Sequence, residues 1–472
     1  MATTETSLIS LNDYLNQYMY YLRERVVSLE AQKTELNIKY AVYTDLSSKL
    51  TSLEDALEML SESGSSSVFR SKTVVSSNAS VAAAVATGSA VAGTHTVFVS
   101  QLARAHSVVS NRYDQAGTTL SGSSSGDKAF AISVGEETYD VSVSISSGDS
   151  DLTVLSNLAS AINEAADGAV MASCVRDTPS TCKLSILSGS TGTAGAMVLT
   201  DTDGLLSTLG VTNASQATDT VGGYIYADLG GNELDALLTV DGISVVSSTN
   251  TVDSVIEGMT ITLLAEQQTG DAAVNLTAAT DVEGIKAEIE DFLSAYNEAF
   301  SFLVAKTSVD GITYERGALS GEYPYITLRS NLRLTMNTFV TEASSEYSAL
   351  SQIGITSDRS GNFSISDAGL LEEVIASDPE ALEDLFASTG GVATALAALL
   401  DGYTSPGGTI SSSQTAVNSK VDLLDDNIER QEAYVKARER SLREQYGALQ
   451  EALYALQMSR EIANSYASLL GL

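Results

Sequence analysis

Gly122-Ser123-Ser124-Ser125-Gly126 fits the G-x-S-x-G form of a nucleophile elbow. That chemistry needs a buried strand before the serine, a helix after it and a histidine to take the proton. Neither flank is legible. His95 lies inside an alternating, strand-like pattern and His106 follows a turn, so structural roles suit both better than general-base work. Asp201-Thr202-Asp203-Gly204 opens like a calcium loop but lacks the later ligands and the closing Glu, and reads as a turn. Gly189 to Gly195 is a run of small residues without a phosphate-binding Lys. No H-E-x-x-H occurs. The expectation is a chain with no catalytic, cofactor-binding or metal residues: not an enzyme, and with no cofactor. Cys174 and Cys182 remain. They sit in Ser173-Cys174-Val175 and Thr181-Cys182-Lys183, with Pro179 between them. If these segments pair as a hairpin, the cysteines face each other across the ladder and a disulfide is possible. The alternative is two free thiols, because cross-strand disulfide geometry is demanding.

The chain has 472 residues, 25 basic against 60 acidic, for a net charge of −35. That balance excludes nucleic acid as a partner, which requires basic patches, and argues equally against an anionic membrane surface. With 43% hydrophobic and 18% charged residues the chain is not globally disordered. No run approaches the roughly 20 apolar residues of a membrane span, so no membrane insertion is expected. Met1 to Ser10 lacks the basic patch and apolar centre of a signal peptide. Trp is absent, while Gly, Ser, Thr and Ala are abundant, a balance of secreted or structural proteins.

Both ends carry a seven-residue repeat. Leu8, Leu15, Leu22, Leu29, Leu36, Tyr43, Leu50 and Leu57 form one row near the N-terminus, with Leu11, Tyr18, Leu46, Leu53 and Leu60 in a second row three residues behind. Val421, Ile428, Val435, Leu442, Leu449, Leu456, Ala463 and Leu470 form the row near the C-terminus. Its second row, Leu424, Gln431, Arg438, Gln445, Ala452, Ser459 and Tyr466, is largely polar or small. A sustained period of seven is a coiled-coil seam. Two such helices enclosing a globular middle run antiparallel most simply. These sixteen row positions are the candidate self-assembly residues.

Between them the period shortens to two. His95, Val97 and Val99, then Phe130, Ile132 and Val134, then Val141, Val143 and Ile145, and later Leu238, Val240, Ile261 and Leu263 alternate with small or polar neighbours. These are short strands separated by Gly, Ser, Asp and Asn turns. One helix interrupts them, on Leu152, Leu155, Leu158, Ala159 and Ile162. Gly/Ser-rich Leu120 to Gly126 and Thr220 to Gly223 bracket a β module inserted in another. Helices return with Ile285, Ile289, Phe292, Leu293, Tyr296, Phe300 and Leu303. A hairpin is expected from Ile353-Gly354-Ile355 through Phe363-Ser364-Ile365, turning at Ser360-Gly361-Asn362, and Asp378-Pro379 supplies a cap and first residue for a helix with Leu382, Leu385 and Phe386.

At this point the residues resemble a family. Val97 to Ala105 (VFVSQLARA), Leu158-Ala159-Ser160-Ala161-Ile162-Asn163, Asp241-Gly242 with Thr249-Asn250 and Ile256 to Leu263 (IEGMTITL), Phe292 to Asn297 (F-x-x-x-Y-N), and Asp378-Pro379 through Phe386 are similar to the bacterial flagellar filament cap family. The likeness runs in order along nearly the whole chain. It implies an α+β, multidomain fold: long terminal helices forming an antiparallel coiled-coil or helical-bundle leg, with two β-rich head modules, one inserted in the other. The expected limits are 1–72 for the N-terminal leg helix, 73–119 with 222–280 for the middle domain, 120–221 for the inserted outer domain, 281–412 for the helical bundle and 413–472 for the C-terminal leg helix. The resemblance also implies a homo-oligomeric ring, expected as a pentamer, at the distal tip of the flagellum. Its partners would be flagellin, the filament end or hook-associated junction proteins, and a cytoplasmic export chaperone. It implies secretion by the flagellar type III apparatus without a cleaved signal. Two other readings stand beside it: a hook–filament junction protein, and a surface adhesin presenting Ser/Thr-rich modules to host mucin or glycan.

Overall fold

The computed structural model describes residues 2–470 apart from 212–215, 227–231 and 342–346. The chain divides into a helical unit, 1–63 with 285–472, and a β-rich unit, 64–284.

In the helical unit, α1 (Ala2–Ser61) and α10 (Thr409–Leu470) are the long elements. They pair antiparallel: Arg23 bonds Glu439 (3.3 Å) while Lys33, ten residues on, meets Asp425. Along α1 the apolar seam changes depth. Leu46, Leu50, Leu53, Leu57 and Leu60 are fully buried. They belong to a core shared with α5 (Val282–Thr307), α6 (Tyr323–Met336), α7 (Ala368–Ser377), α8 (Pro379–Ala387) and α9 (Val392–Thr404). Aromatic contacts lock this core: Phe292 meets Phe386 edge-on at 6.2 Å, and Tyr296 stacks on Phe300 at 5.6 Å. Asp378 caps α8 as expected, accepting from Ala381 N–H (3.1 Å), and Pro379 fills the first turn, where no N–H partner is needed. The expected hairpin is β17 (Ile355–Ser357) with β18 (Phe363–Ile365). Among the described residues one helical stretch, within Pro379–Tyr466, passes the length and composition test for a membrane span. Its most apolar helix, α9, buries Val392, Ala393, Leu396 and Leu400 in the unit's core.

The β-rich unit has two hydrophobic clusters. One sheet has the order β1-β16-β3-β12-β13, from β1 (Lys72–Ser76), β16 (Val274–Thr280), β3 (Gly93–Gln101), β12 (Ala236–Val240) and β13 (Ile243–Ser247). A second joins β14 (Thr251–Ile256), β15 (Met259–Leu263) and β2 (Ala82–Ala86). Val97, Val99, Leu238, Val240, Ile261 and Leu276 fill the space they share.

The other cluster belongs to a module inserted between β3 and β12. One sheet pairs β11 (Gly223–Tyr224), β4 (Ala105–Val109), β9 (Thr181–Thr191) and β5 (Tyr113–Asp114), with β8 (Val170–Val175) also on β9. A second pairs β10 (Met197–Asp201), β6 (Gly126–Val134) and β7 (Glu137–Ile145). Helix α3 (Asp151–Ala166) buries Leu155, Leu158, Ala159 and Ile162 against them, and α4 (Leu205–Leu209) buries Leu205, Leu206 and Leu209. The Gly/Ser-rich stretch expected as a boundary is instead largely α2 (Thr119–Ser124), with Leu120, Ser121 and Ser124 buried. Strands β4 and β5, upstream of it, pair with β9, so the insertion begins near Arg104. Small residues here serve close packing rather than a linker. Gly192 is one place where only glycine fits. Its φ is +75°, and a Cβ there would lie 2.3 Å from Ser248 Cα at the end of β13.

Candidate assembly surface on the terminal helices

The predicted seam residues with described side chains fall into four groups. Tyr43, Leu50 and Leu57 are buried in the helical core. Leu15 and Val435 are buried where α1 and α10 meet, in a small cluster with Met19 and Val26, against which Leu22, Ile428 and Leu442 pack. Leu29, Leu36 and Val421 are half-buried. Leu449 and Leu456, by contrast, are 47% and 67% exposed, and Ala463 is exposed too. The side chains of Leu8 and Leu470 lie outside the described residues.

The exposed end of α10 carries more apolar surface than its seven-residue row. Tyr454, Met458, Ile462 and Tyr466 are exposed at successive steps of four. Residues four apart share one helix face, so these make a continuous stripe. The seven-residue rows catch only Tyr466 of it; a count at spacing four finds the rest. The stripe is largely apolar and solvent-facing, which makes it a candidate docking surface.

The chemistry-bearing candidates have structural roles. Ser124 is buried at the end of α2, its hydroxyl 3.4 Å from Thr208 Oγ1. His95 Nδ1 lies 2.7 Å from Asp241 Oδ2, and Asp241 Oδ1 accepts from Thr96 N–H at 2.7 Å. Those bonds hold Asp241 at φ +49° in the β12–β13 turn, and they depress its pKa, His95 first. His106 is fully buried, and its Nδ1 accepts from Met197 N–H (2.7 Å). Asp201 accepts from Ser207 N–H and Asp203 from Ala129 N–H, both at 2.8 Å, which makes this segment a cap and a turn. Among the described residues no cluster of three metal-ligating side chains occurs. Cys174 and Cys182 are free thiols. Their strands do pair, but Cys174 stands opposite Leu184, so the cysteines are diagonal neighbours rather than directly opposed.

Three asparagines singled out by motif do one job that the sequence alone did not disclose. Asn163 takes both backbone groups of Ala172, with Oδ1 accepting from its N–H (2.7 Å) and Nδ2 donating to its carbonyl (2.9 Å). Asn250 does the same to Ala103 (2.7 and 2.9 Å) and Asn297 to Phe363 (2.8 and 2.7 Å). Each side-chain amide satisfies both backbone groups of one residue in a strand or at the end of one.

The chain matches a known family along both halves, and the Asn250 and Asn297 clamps lie inside the C-terminal match. The pattern of the flagellar hook-associated protein 2 N-terminus matches residues 7–106, and that of its C-terminus matches residues 234–458. The chain belongs to the flagellar hook-associated protein 2 family. It is 26% identical over 461 residues to the flagellar hook-associated protein 2 of Escherichia coli K12, covering 95% of this chain and 94% of that one. It is 27% identical over 428 residues to the B-type flagellar hook-associated protein 2 of Pseudomonas aeruginosa, covering 87% and 84%. The fold agrees with the crystal structure of the D1-D2-D3 domains of the flagellar cap protein FliD from Escherichia coli. There the TM-score is 0.66 at 26% identity, over 80% of this chain and 99% of the other. Within the hook-associated protein 2 family, then, this chain has the helical unit, the middle sheets and the inserted module.

Proposed function

We propose that the protein is the cap of a bacterial flagellar filament, a homo-oligomeric scaffold at the distal tip beneath which arriving flagellin folds and polymerises. The observation that carries this reading is the family match along both halves of the chain, joined to a terminal helix whose distal face is apolar and exposed. On this reading the paired ends of α1 and α10 form the leg that seats the cap on the filament, and the two β modules form the head. The seam positions beyond the helical core, above all Leu449, Leu456 and the Tyr454–Tyr466 stripe, make the contacts between copies or with the filament end. The ring is expected to hold five copies. The protein reaches the tip by flagellar type III export, with a cytoplasmic export chaperone as a partner before export.

The test is complementation. A strain lacking its cap protein sheds flagellin monomer and builds no filament. Expression of this chain restores filaments, and expression of a chain ending before Leu449 does not, although both are exported. Filaments of normal length from the shortened chain would contradict the proposed role of α10. Flagellin shed unchanged by the full chain would contradict capping.

A further inference from the structure

The hairpin formed by β8 and β9 is held in a single register at its turn. Arg112 Nε bonds Asp177 Oδ2 (2.5 Å), and Thr181 Oγ1 donates to Asp177 Oδ1 (2.6 Å). Gln115 Nε2 donates to the carbonyls of Thr178, Pro179 and Thr181 (3.2, 3.3 and 3.0 Å). In that register Cys174 stands opposite Leu184, and Cys182 lies two residues nearer the turn. Residues two apart on a strand share a face, so both sulfurs point to the same side. Diagonal neighbours across a twisted pair lie within side-chain reach. The two thiols differ in access. Cys182 is fully buried in the module's core, while Cys174 is half-buried and packs against the same cluster. Burial pushes the Cys182 thiol up to about 12, and the adjoining Cys174 is the next cause. Its thiolate is therefore scarcer at neutral pH than that of an exposed cysteine.

We propose that Cys174 and Cys182 are an ordered dithiol that closes to a disulfide in two steps, with Cys174 the entry thiol and Cys182 the resolving thiol. The oxidant is a low-molecular-weight disulfide of the oxidising medium outside a cell. In the first step Cys174 gives its proton to water and its thiolate attacks one sulfur of the small disulfide. A mixed disulfide forms on Cys174, the small disulfide's own S–S bond breaks, and the released half takes up a proton as a free thiol. In the second step Cys182 loses its proton and attacks the Cys174 sulfur. The internal S–S bond forms, the mixed bond breaks, and the second half leaves as a thiol. Two protein thiols are oxidised and one small disulfide is reduced to two thiols. The second step is the slow one, because it needs the buried thiolate. The closed form ties the free edge strand β8 to β9, the strand on which β4, β5 and β8 all pair. It stabilises the inserted module by constraining its unfolded chain. This inference stands on the hairpin and, for its oxidant, on the extracellular location proposed above; it does not depend on capping itself.

The experiment treats the reduced full chain with oxidised glutathione at graded pH, quenches with acid, and maps the products by intact mass and peptide mass spectrometry. The expected course is a transient glutathione adduct on Cys174, then a linked Cys174–Cys182 peptide whose formation rises about tenfold per pH unit through the mildly alkaline range. The melting transition of the closed chain lies above that of the reduced chain and returns on treatment with dithiothreitol. Cys182→Ala stops at the adduct, and Cys174→Ser stays unmodified over the same interval. A first adduct on Cys182, modification of Cys174→Ser at the wild-type rate, disulfide-linked dimers in place of the internal bond, or two free thiols in the folded chain after prolonged oxidation would each overturn the proposal.

Discussion

Asn297 reaches Phe363 across 66 residues of chain and holds both of its backbone groups. Replacing it by Leu leaves a part-buried N–H and carbonyl without partners, at about 1–3 kcal/mol each at most. Thermal unfolding of Asn297→Leu should therefore fall clearly below wild type, and an unchanged midpoint would mean that water takes over both bonds. His106 gives a prediction in pH. Its ring accepts through Nδ1, so the proton sits on Nε2, which is buried without an acceptor among the described residues; the ring centroid lies 4.8 Å from that of Tyr224. Burial lowers its pKa from the ordinary value near 6.5. The unfolded chain therefore binds the proton more readily than the folded one. The stability this histidine contributes is present above pH 6.5 or so and is lost as pH falls from there through the depressed folded value. His106→Gln should show a shallower loss of melting temperature between pH 7 and pH 5 than wild type. Parallel curves would assign that loss to carboxylates elsewhere.

The terminal helices illustrate how one sequence pattern serves two ends. Leu50 and Leu456 occupy equivalent rows of their repeats, yet Leu50 is fully buried and Leu456 is 67% exposed. Leu50→Ala should destabilise the helical unit by about 2–5 kcal/mol, as a cavity-forming change in a packed core. A double change on the exposed stripe, Tyr454→Ser with Ile462→Ser, should move stability by no more than about 0.5 kcal/mol. It should still shift the protein from oligomer to monomer in sedimentation velocity. If the double variant melts early, the stripe is a core face; if it assembles normally, the stripe is not the contact between copies. Helix α3 behaves more simply, because its cap and its buried face agree. Ser150 accepts from Thr153 N–H (3.2 Å), and the helix ends at Asp167, φ +41°, just before Gly168 at +89°.

At the scale of the molecule, charge sets the condition for assembly. Each copy carries −35, so copies that come together repel one another. Screening over about 8 Å at physiological ionic strength weakens that repulsion. The oligomer should gain stability as salt is raised from low to physiological levels, read as a rising sedimentation coefficient at fixed protein concentration. Dissociation with added salt would mean that ion pairs between copies outweigh the net repulsion. The pairs within the chain do not decide this, since Arg23–Glu439 and Lys49–Glu298 lie at an exposed surface and contribute little each.

The amino-acid sequence by itself determined what repeats locally. The seven-residue rows give α1 and α10, the alternation of Val97 and Val99 gives β3, and Asp378-Pro379 gives the start of α8, because helix and strand periods and caps are properties of neighbouring residues. The family motifs, read in order, gave the architecture. Tertiary structure alone decided which partners meet across long separations. It placed β4 and β5 on β9, and so moved the start of the insertion ahead of the Gly/Ser-rich stretch that composition had suggested. It set Cys174 beside Leu184 rather than Cys182, since the turn contacts of Arg112 and Gln115, more than 60 residues upstream, hold the register. It divided one uniform seam into a buried half and an exposed half. A periodic row specifies that a face is apolar, but only the packing around it determines whether the same chain covers that face or leaves it for another.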